Sequence, residues 1–191
     1  MVIGDVTGHG VPSAMITAAA KAACDVARFI DSEVTATRLL EIMNHAIFEA
    51  GQRQFTMTCF ASIIDPKART ITYANAAHNF PYLYRVAEGK GEFGSLMIRG
   101  NRLGDERTSR YEVKTTALLP GDVIVWYTDG LVECDDAKGE EYGEKRFRAS
   151  VKRAAALEPG DMRDAIVADA NSHFGDVPRK DDITLIVGRI Q

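Results

Sequence analysis

The chain has 191 residues, 46% of them hydrophobic and 26% charged, with a formal net charge of −4. That is the balance of an ordinary soluble globular protein of one domain, or of one domain with an appendage. Lys and Arg are scattered, and the mild clusters at Lys145 to Arg148 and Lys152-Arg153 read as a solvated helix face, which argues against a dedicated nucleic-acid surface. No apolar run approaches the roughly 18 to 20 residues that span a bilayer, and no basic region followed by an apolar block marks a secretion signal. Cys24, Cys59 and Cys134 form no CxxC pair and no disulfide framework, so reduced thiols and a cytoplasmic location are expected.

Met1 to Asp5 reads as a short buried strand that opens abruptly, so upstream elements are expected to be missing from this sequence. The loop Gly4-Asp5-Val6-Thr7-Gly8-His9-Gly10 follows, and Pro12 suits the first turn of an Ala-rich helix over Ser13 to Ile30. A second helix is predicted from Ala36 to Ala50 on the stripe Leu39, Leu40, Ile42, Met43, Ala46 and Ile47, closed by Gly51 as its cap. Phe55 to Ile64 and Thr70 to Ala74 read as a hairpin about Asp65-Pro66-Lys67. Pro81 to Val86 is a further strand, with Tyr82 and Tyr84 on one face.

Glu88 to Gly94 reads as an exposed turn, Leu96 to Ile98 as a short strand, and Tyr111 to Thr115 as an edge strand. Val123 to Tyr127 is the most apolar strand and ends in Thr128-Asp129-Gly130. Helices over Lys145 to Leu157 and Asp161 to Phe174 precede a last strand, Ile183 to Ile190. This order predicts an α+β fold of antiparallel sheets with helices on their outer faces.

Three acidic sites fall at strand ends: Asp5, Asp129 and the pair Asp181-Asp182. One such Asp is more often a turn-former. If the strands are neighbours in one sheet, their ends gather carboxylates at one rim, and such a cluster repels itself unless cations neutralise it. Hard divalent ions, Mg²⁺ or Mn²⁺, take oxygen ligands of this kind.

Five ordered segments then carry a resemblance: GDVTGHGVPSAM (residues 4–15), FTMTCFASIID (55–65), YANAAHNFPYL (73–83), PGDVIVWYTDGLVE (120–133) and DDITLIV (181–187). Together they resemble the metal-dependent protein serine/threonine phosphatases, PPM or type-2C, in the bacterial SpoIIE/RsbU branch. The resemblance covers nearly the whole chain. It implies a β-sandwich of two antiparallel sheets flanked by helices. It also implies hydrolysis of phosphoserine or phosphothreonine with a Mn²⁺ or Mg²⁺ pair, on a STAS-type anti-anti-sigma protein, behind an upstream sensor or receiver domain.

By the same resemblance Asp5 bridges the two ions and the Val6 carbonyl assists. Asp129 and Asp181 hold one ion, with Asp182 the neighbouring candidate. The family's upstream Gly-Gly-Asp strand has no counterpart, so one tightly and one weakly held ion are expected. Ala77 stands where relatives usually have glycine. His9 and His78 are weighed as possible general acids, and an orienting role is favoured for each. A catalytically silent binding module of the same fold is the competing reading. A nucleotide site at Gly4 to Gly10 fits neither a P-loop nor a dinucleotide fingerprint.

Overall fold

The computed structural model describes residues 1–87 and 90–191. The chain divides into two compact units, each made of two separate segments: Met1–His78 with Met97–Ala117, and Asn79–Leu96 with Leu118–Gln191. Each unit carries one four-stranded antiparallel sheet and two helices. The α+β class with two antiparallel sheets and helices is therefore the one the sequence predicts.

In the first unit the strands are β1 (Val2–Val6), β2 (Met57–Asp65), β3 (Thr70–Ala76) and β6 (Lys114–Ala117), in the order β1-β2-β3-β6. The helix α1 (Val11–Ile30) buries Ser13, Ile16, Ala20, Cys24 and Ala27, a spacing of three and four that keeps them on one stripe. The following helix, α2 (Ala36–Gly51), is capped by Thr35, whose hydroxyl accepts the Arg38 N–H. It buries Leu39, Leu40, Met43 and Ile47 in one core with Met57, Cys59, Ala61, Ala74 and Ala76. The β2–β3 turn forms as predicted: the Asp65 carboxylate accepts the N–H groups of Lys67 and Ala68.

In the second unit the order is β5-β4-β7-β8, with β4 at Tyr82–Ala87, β5 at Lys90–Ser95, β7 at Val123–Tyr127 and β8 at Leu185–Arg189. The helices α3 (Gly143–Ala154) and α4 (Pro159–Phe174) bury Phe147, Val151, Met162, Ile166 and Phe174 against the rings of Tyr82, Tyr84 and Tyr127. A bidentate ion pair pins this unit's sheet: Arg85 Nε and Nη2 donate to the two oxygens of the buried Asp122 at 2.8 and 2.6 Å. The same carboxylate accepts the Leu119 N–H at 2.8 Å. Asp122→Ala is expected to cost about 2–3 kcal/mol in a urea titration, since a charge-assisted pair and a turn bond vanish together.

Several predicted elements are corrected. Asp5 does not share a sheet with Asp129 and Asp181: β1 pairs with β2, whereas β7 pairs with β8. The one-sheet premise for gathering the carboxylates therefore fails. Lys90–Ser95 is a strand on β4, because Phe93 packs on Tyr82 and Tyr84 and overrides the turn signal of Gly91 and Gly94. Glu88 and Gly89, the rest of that predicted turn, lie outside the described residues. Leu96 to Ile98 is not a strand; Leu96 is buried and donates its N–H to the Pro81 carbonyl. Tyr111 lies before β6, buried in the first unit's core, and the edge strand begins at Lys114. Gly51 is the last helical residue, and Gln52, with φ +47°, is the cap.

Candidate metal centre

In the second unit the acidic pair is set by the packing of two strand ends. β7 runs antiparallel to β8, with Tyr127 opposite Leu185. Five consecutive buried residues hold β7 rigid, and the chain then turns into a single 3₁₀ turn at Asp129–Leu131. Thr128 ties this turn to the loop before β8. Its N–H donates to the Thr184 carbonyl at 3.1 Å, its hydroxyl donates to the Asp182 carbonyl at 3.2 Å, and the hydroxyl accepts the Thr184 N–H at 2.9 Å.

Gly130 then lets the two backbones touch. A Cβ there would stand 2.4 Å from the Asp182 oxygen, closer than any side chain permits, with the Asp181 carbonyl carbon at 3.4 Å. Oxygens of Asp129 and Asp181 consequently lie within 4.8 Å of each other. Each carboxylate accepts the N–H of its own successor, Gly130 at 3.0 Å and Asp182 at 2.8 Å. Among the described residues neither is paired with Lys or Arg; Lys180 turns instead to Asp135. Asp182 contributes its carbonyl to Thr128.

The local field is acidic. Partial removal from water, then the charges of Asp129, Glu141 and Asp181, raise the Glu133 carboxyl above its ordinary value. Burial and then the Asp129 charge push the Tyr127 phenol up to about 12, and that hydroxyl donates to Glu144 at 2.7 Å. Two uncompensated carboxylates with oxygen atoms only, held by backbone, form a donor set for a hard divalent cation. Sequence reasoning missed Glu133 and the positioning roles of Thr128 and Gly130. The signal for Glu133 was its place four residues after Asp129, where a helical turn brings it back toward the same rim.

Asp5 belongs to the first unit, partly buried on β1 opposite Thr58, with Val6 ending the strand opposite Met57. Gly4 allows β1 to lie close on β2, since a Cβ would meet the Thr58 oxygen at 2.5 Å. The Thr58 hydroxyl bonds His78 Nδ1 at 2.8 Å; the His78 N–H donates to Asn75 Oδ1, and Asn75 Nδ2 donates to the carbonyls of His78 and Ile98. His78 is thus buried in a network behind the Asp5 strand. His9 is exposed in its loop.

Ala77 holds φ +56°, a left-handed conformation that costs an L-residue roughly 1–2 kcal/mol. Ala77→Gly is therefore expected to raise stability by about 1 kcal/mol, seen as a higher urea midpoint at unchanged slope. The cysteines are all buried. Burial holds the Cys59 thiol far above its ordinary value and raises Cys24 as well, so neither is poised as a nucleophile.

This fold is that of solved PP2C domains. The SiaA-PP2C domain of Pseudomonas aeruginosa superimposes with a TM-score of 0.85 at 26% identity, covering 100% of this chain and 76% of that one. The chain belongs to the stage II sporulation protein E (SpoIIE) family, whose model matches residues 1–191. It is 26% identical over 137 residues to the phosphoserine phosphatase RsbU of Bacillus subtilis, covering 72% of this chain and 40% of RsbU. The chain thus spans about two fifths of the length of that curated relative. RsbX, solved in complex with magnesium, shares the fold at a TM-score of 0.66 and 19% identity, covering 100% of this chain and 80% of RsbX.

Proposed function

We propose that this chain is the catalytic part of a metal-dependent phosphatase that hydrolyses phosphoserine or phosphothreonine on a regulatory protein. The STAS-type anti-anti-sigma proteins are the substrate class, and the cytoplasm is the setting. An upstream sensor or receiver domain controls the activity. The observation that carries the reading is the Asp129–Asp181 pair, two carboxylates held near each other with no cationic side chain paired to them among the described residues. Membership of the SpoIIE family supports it. No described helix is long and apolar enough to cross a membrane.

In this reading Asp129 and Asp181 would hold Mn²⁺ or Mg²⁺, Asp5 with the Val6 carbonyl beside it would be the further ligand that the family resemblance assigns, and Asp182 would stand next to the liganding position. When bound, the ions activate a water for in-line attack on phosphorus and offset charge on the phosphoryl oxygens. The residues of the chain do the positioning. Thr128 and Gly130 fix the pair, while the Thr58–His78–Asn75 network stiffens the strand that carries Asp5. The loop after Asp5, with glycines at 8 and 10, is exposed. No enzyme nucleophile is needed, in keeping with the buried, raised cysteines.

The test is Mn²⁺-dependent hydrolysis of p-nitrophenyl phosphate, and of a phosphorylated STAS protein from the same organism, by the full-length protein. Turnover that EDTA abolishes and Mn²⁺ restores is the expected result. Full metal occupancy by calorimetry without turnover on either substrate would overturn the catalytic reading in favour of a binding module.

A further inference from the structure

Arg38, Glu41, Ile42 and His45 stand at i, i+3, i+4 and i+7 on α2, and so rise from one strip of the helix. Facing them is the segment Arg107-Thr108-Ser109-Arg110, and the space between is a cavity of about 520 Å³. All of it lies within the first unit, and nothing in the proposed phosphatase chemistry uses it.

The far wall is fixed from behind. Asn44, buried on the neighbouring face of α2, donates to the carbonyls of Glu106 at 2.9 Å and Arg107 at 3.4 Å, and its Oδ1 accepts the Gly104 N–H at 2.8 Å. The buried Ser109 hydroxyl donates to the Glu106 carbonyl. Gly104, with φ +88°, admits no side chain, because a Cβ would stand 2.9 Å from Ile47 and 3.0 Å from the Phe55 oxygen. The segment is therefore held in one shape before any ligand arrives.

The charge is one-sided. Three guanidiniums and an imidazole line the cavity against one carboxylate, Glu41, in a protein of net charge −4. Both Glu41 oxygens are taken, one by Arg38 at 3.3 Å and the other by Arg110 at 3.1 Å. Arg107 reaches Glu49 at 3.1 Å at the rim. Each guanidinium has five N–H donors, so Glu41 uses a small part of what Arg38 and Arg110 offer while holding both beside the cavity. A ligand with one carboxylate would only repeat what Glu41 does. A phosphate dianion brings three terminal oxygens and a second charge, the match for several arginine forks.

We propose that this cavity binds a phosphate group, either as the free anion or esterified on a protein side chain. The inference stands apart from the metal centre, and its test does not require catalysis. ¹⁵N-labelled protein in EDTA is titrated at constant ionic strength with inorganic phosphate, with a phosphoserine peptide, and with chloride as control. Saturable shifts are expected at residues 38–45 and 104–110, with residues 127–131 unmoved. Arg38→Ala combined with Arg110→Ala should weaken binding at least about tenfold, as two charge-assisted contacts are removed. Both side chains are well exposed, at 63% and 76%, so the variant keeps its fold, and an unchanged spectrum elsewhere checks this. Saturation by inorganic phosphate alone identifies a free-anion site, and tighter binding of the peptide a protein-borne one. The proposal is overturned if neither probe saturates these residues, or if the double variant binds as the parent does.

Discussion

Asp129→Asn is expected to remove the tightest divalent-ion binding and, with it, Mn²⁺-dependent phosphatase activity, while leaving the fold intact. Among the described residues the carboxylate accepts one hydrogen bond, from the N–H of Gly130, and an asparagine oxygen can accept that bond unchanged. What is lost is the negative charge beside Asp181. Disturbing a residue that merely orients a metal ligand costs 10–100-fold in affinity, so losing a ligand charge should cost more than about 100-fold. Asp181→Asn should behave alike, since its carboxylate likewise accepts the Asp182 N–H. Calorimetric titration with Mn²⁺, paired with a thermal melt in EDTA, separates metal loss from unfolding. Without metal each variant should melt at or slightly above the parent temperature, because removing one of two facing carboxylates relieves repulsion. Parent-like metal affinity in both variants would sink the assignment.

Gly130→Ala should be nearly as damaging by a different route. The added methyl would overlap the Asp182 backbone, at 2.4 Å from its oxygen, and backbone cannot swing aside as a flexible side chain can. Either the 3₁₀ turn shifts or the loop before β8 moves away, and the Asp129–Asp181 spacing opens in both cases. Overpacking of this kind costs about 1–3 kcal/mol, and metal affinity should fall by at least about tenfold on top of it. Gly160 is the control. It lies in the first turn of α4, and a methyl added there would meet nothing within 4 Å, so Gly160→Ala should be neutral or stabilising by up to about 1 kcal/mol. If the two substitutions prove equally harmless, Gly130 does not position the pair.

The strand Val123–Tyr127 was legible to the residue, because an unbroken apolar run stood between Pro120-Gly121-Asp122 and Thr128-Asp129-Gly130. Asp129 was legible as the residue just past that strand, whereas Asp5 lies inside β1, and Asp181-Asp182 stand in the loop before β8, which begins at Leu185 and not at Ile183. Which strands pair was not legible. Period-2 patterning tells a strand its faces but not its neighbours, and so β1 was credited to a sheet it does not join. Glycines misled in one place, since Gly91 and Gly94 sit in a strand whose pairing is decided by Phe93 against Tyr82 and Tyr84. The ties that set the site were the least visible. Thr128 finds its partners some 55 residues away, at Asp182 and Thr184, and Asn44 finds the Gly104 to Arg107 segment about 60 residues on. Only folding brings such groups together.

The interleaving of the two units has a bearing on how the molecule is made. The first unit is closed only by residues 97–117, after the chain has detoured through β4 and β5 of the second. As the chain leaves the ribosome, β2 and β3 must therefore wait for β6, with Leu103 and Tyr111 still absent from their core. The β4–β5 hairpin waits longer, first for β7 and then for β8. A chain interrupted anywhere between Asp129 and Asp181 has the one carboxylate without the other, so a nascent or truncated product carries half of the pair. Neither unit can be excised or transplanted as one continuous cassette. The Asp129–Asp181 pair is thus assembled only once the chain has been made through β8, a dependence written into the order of the strands.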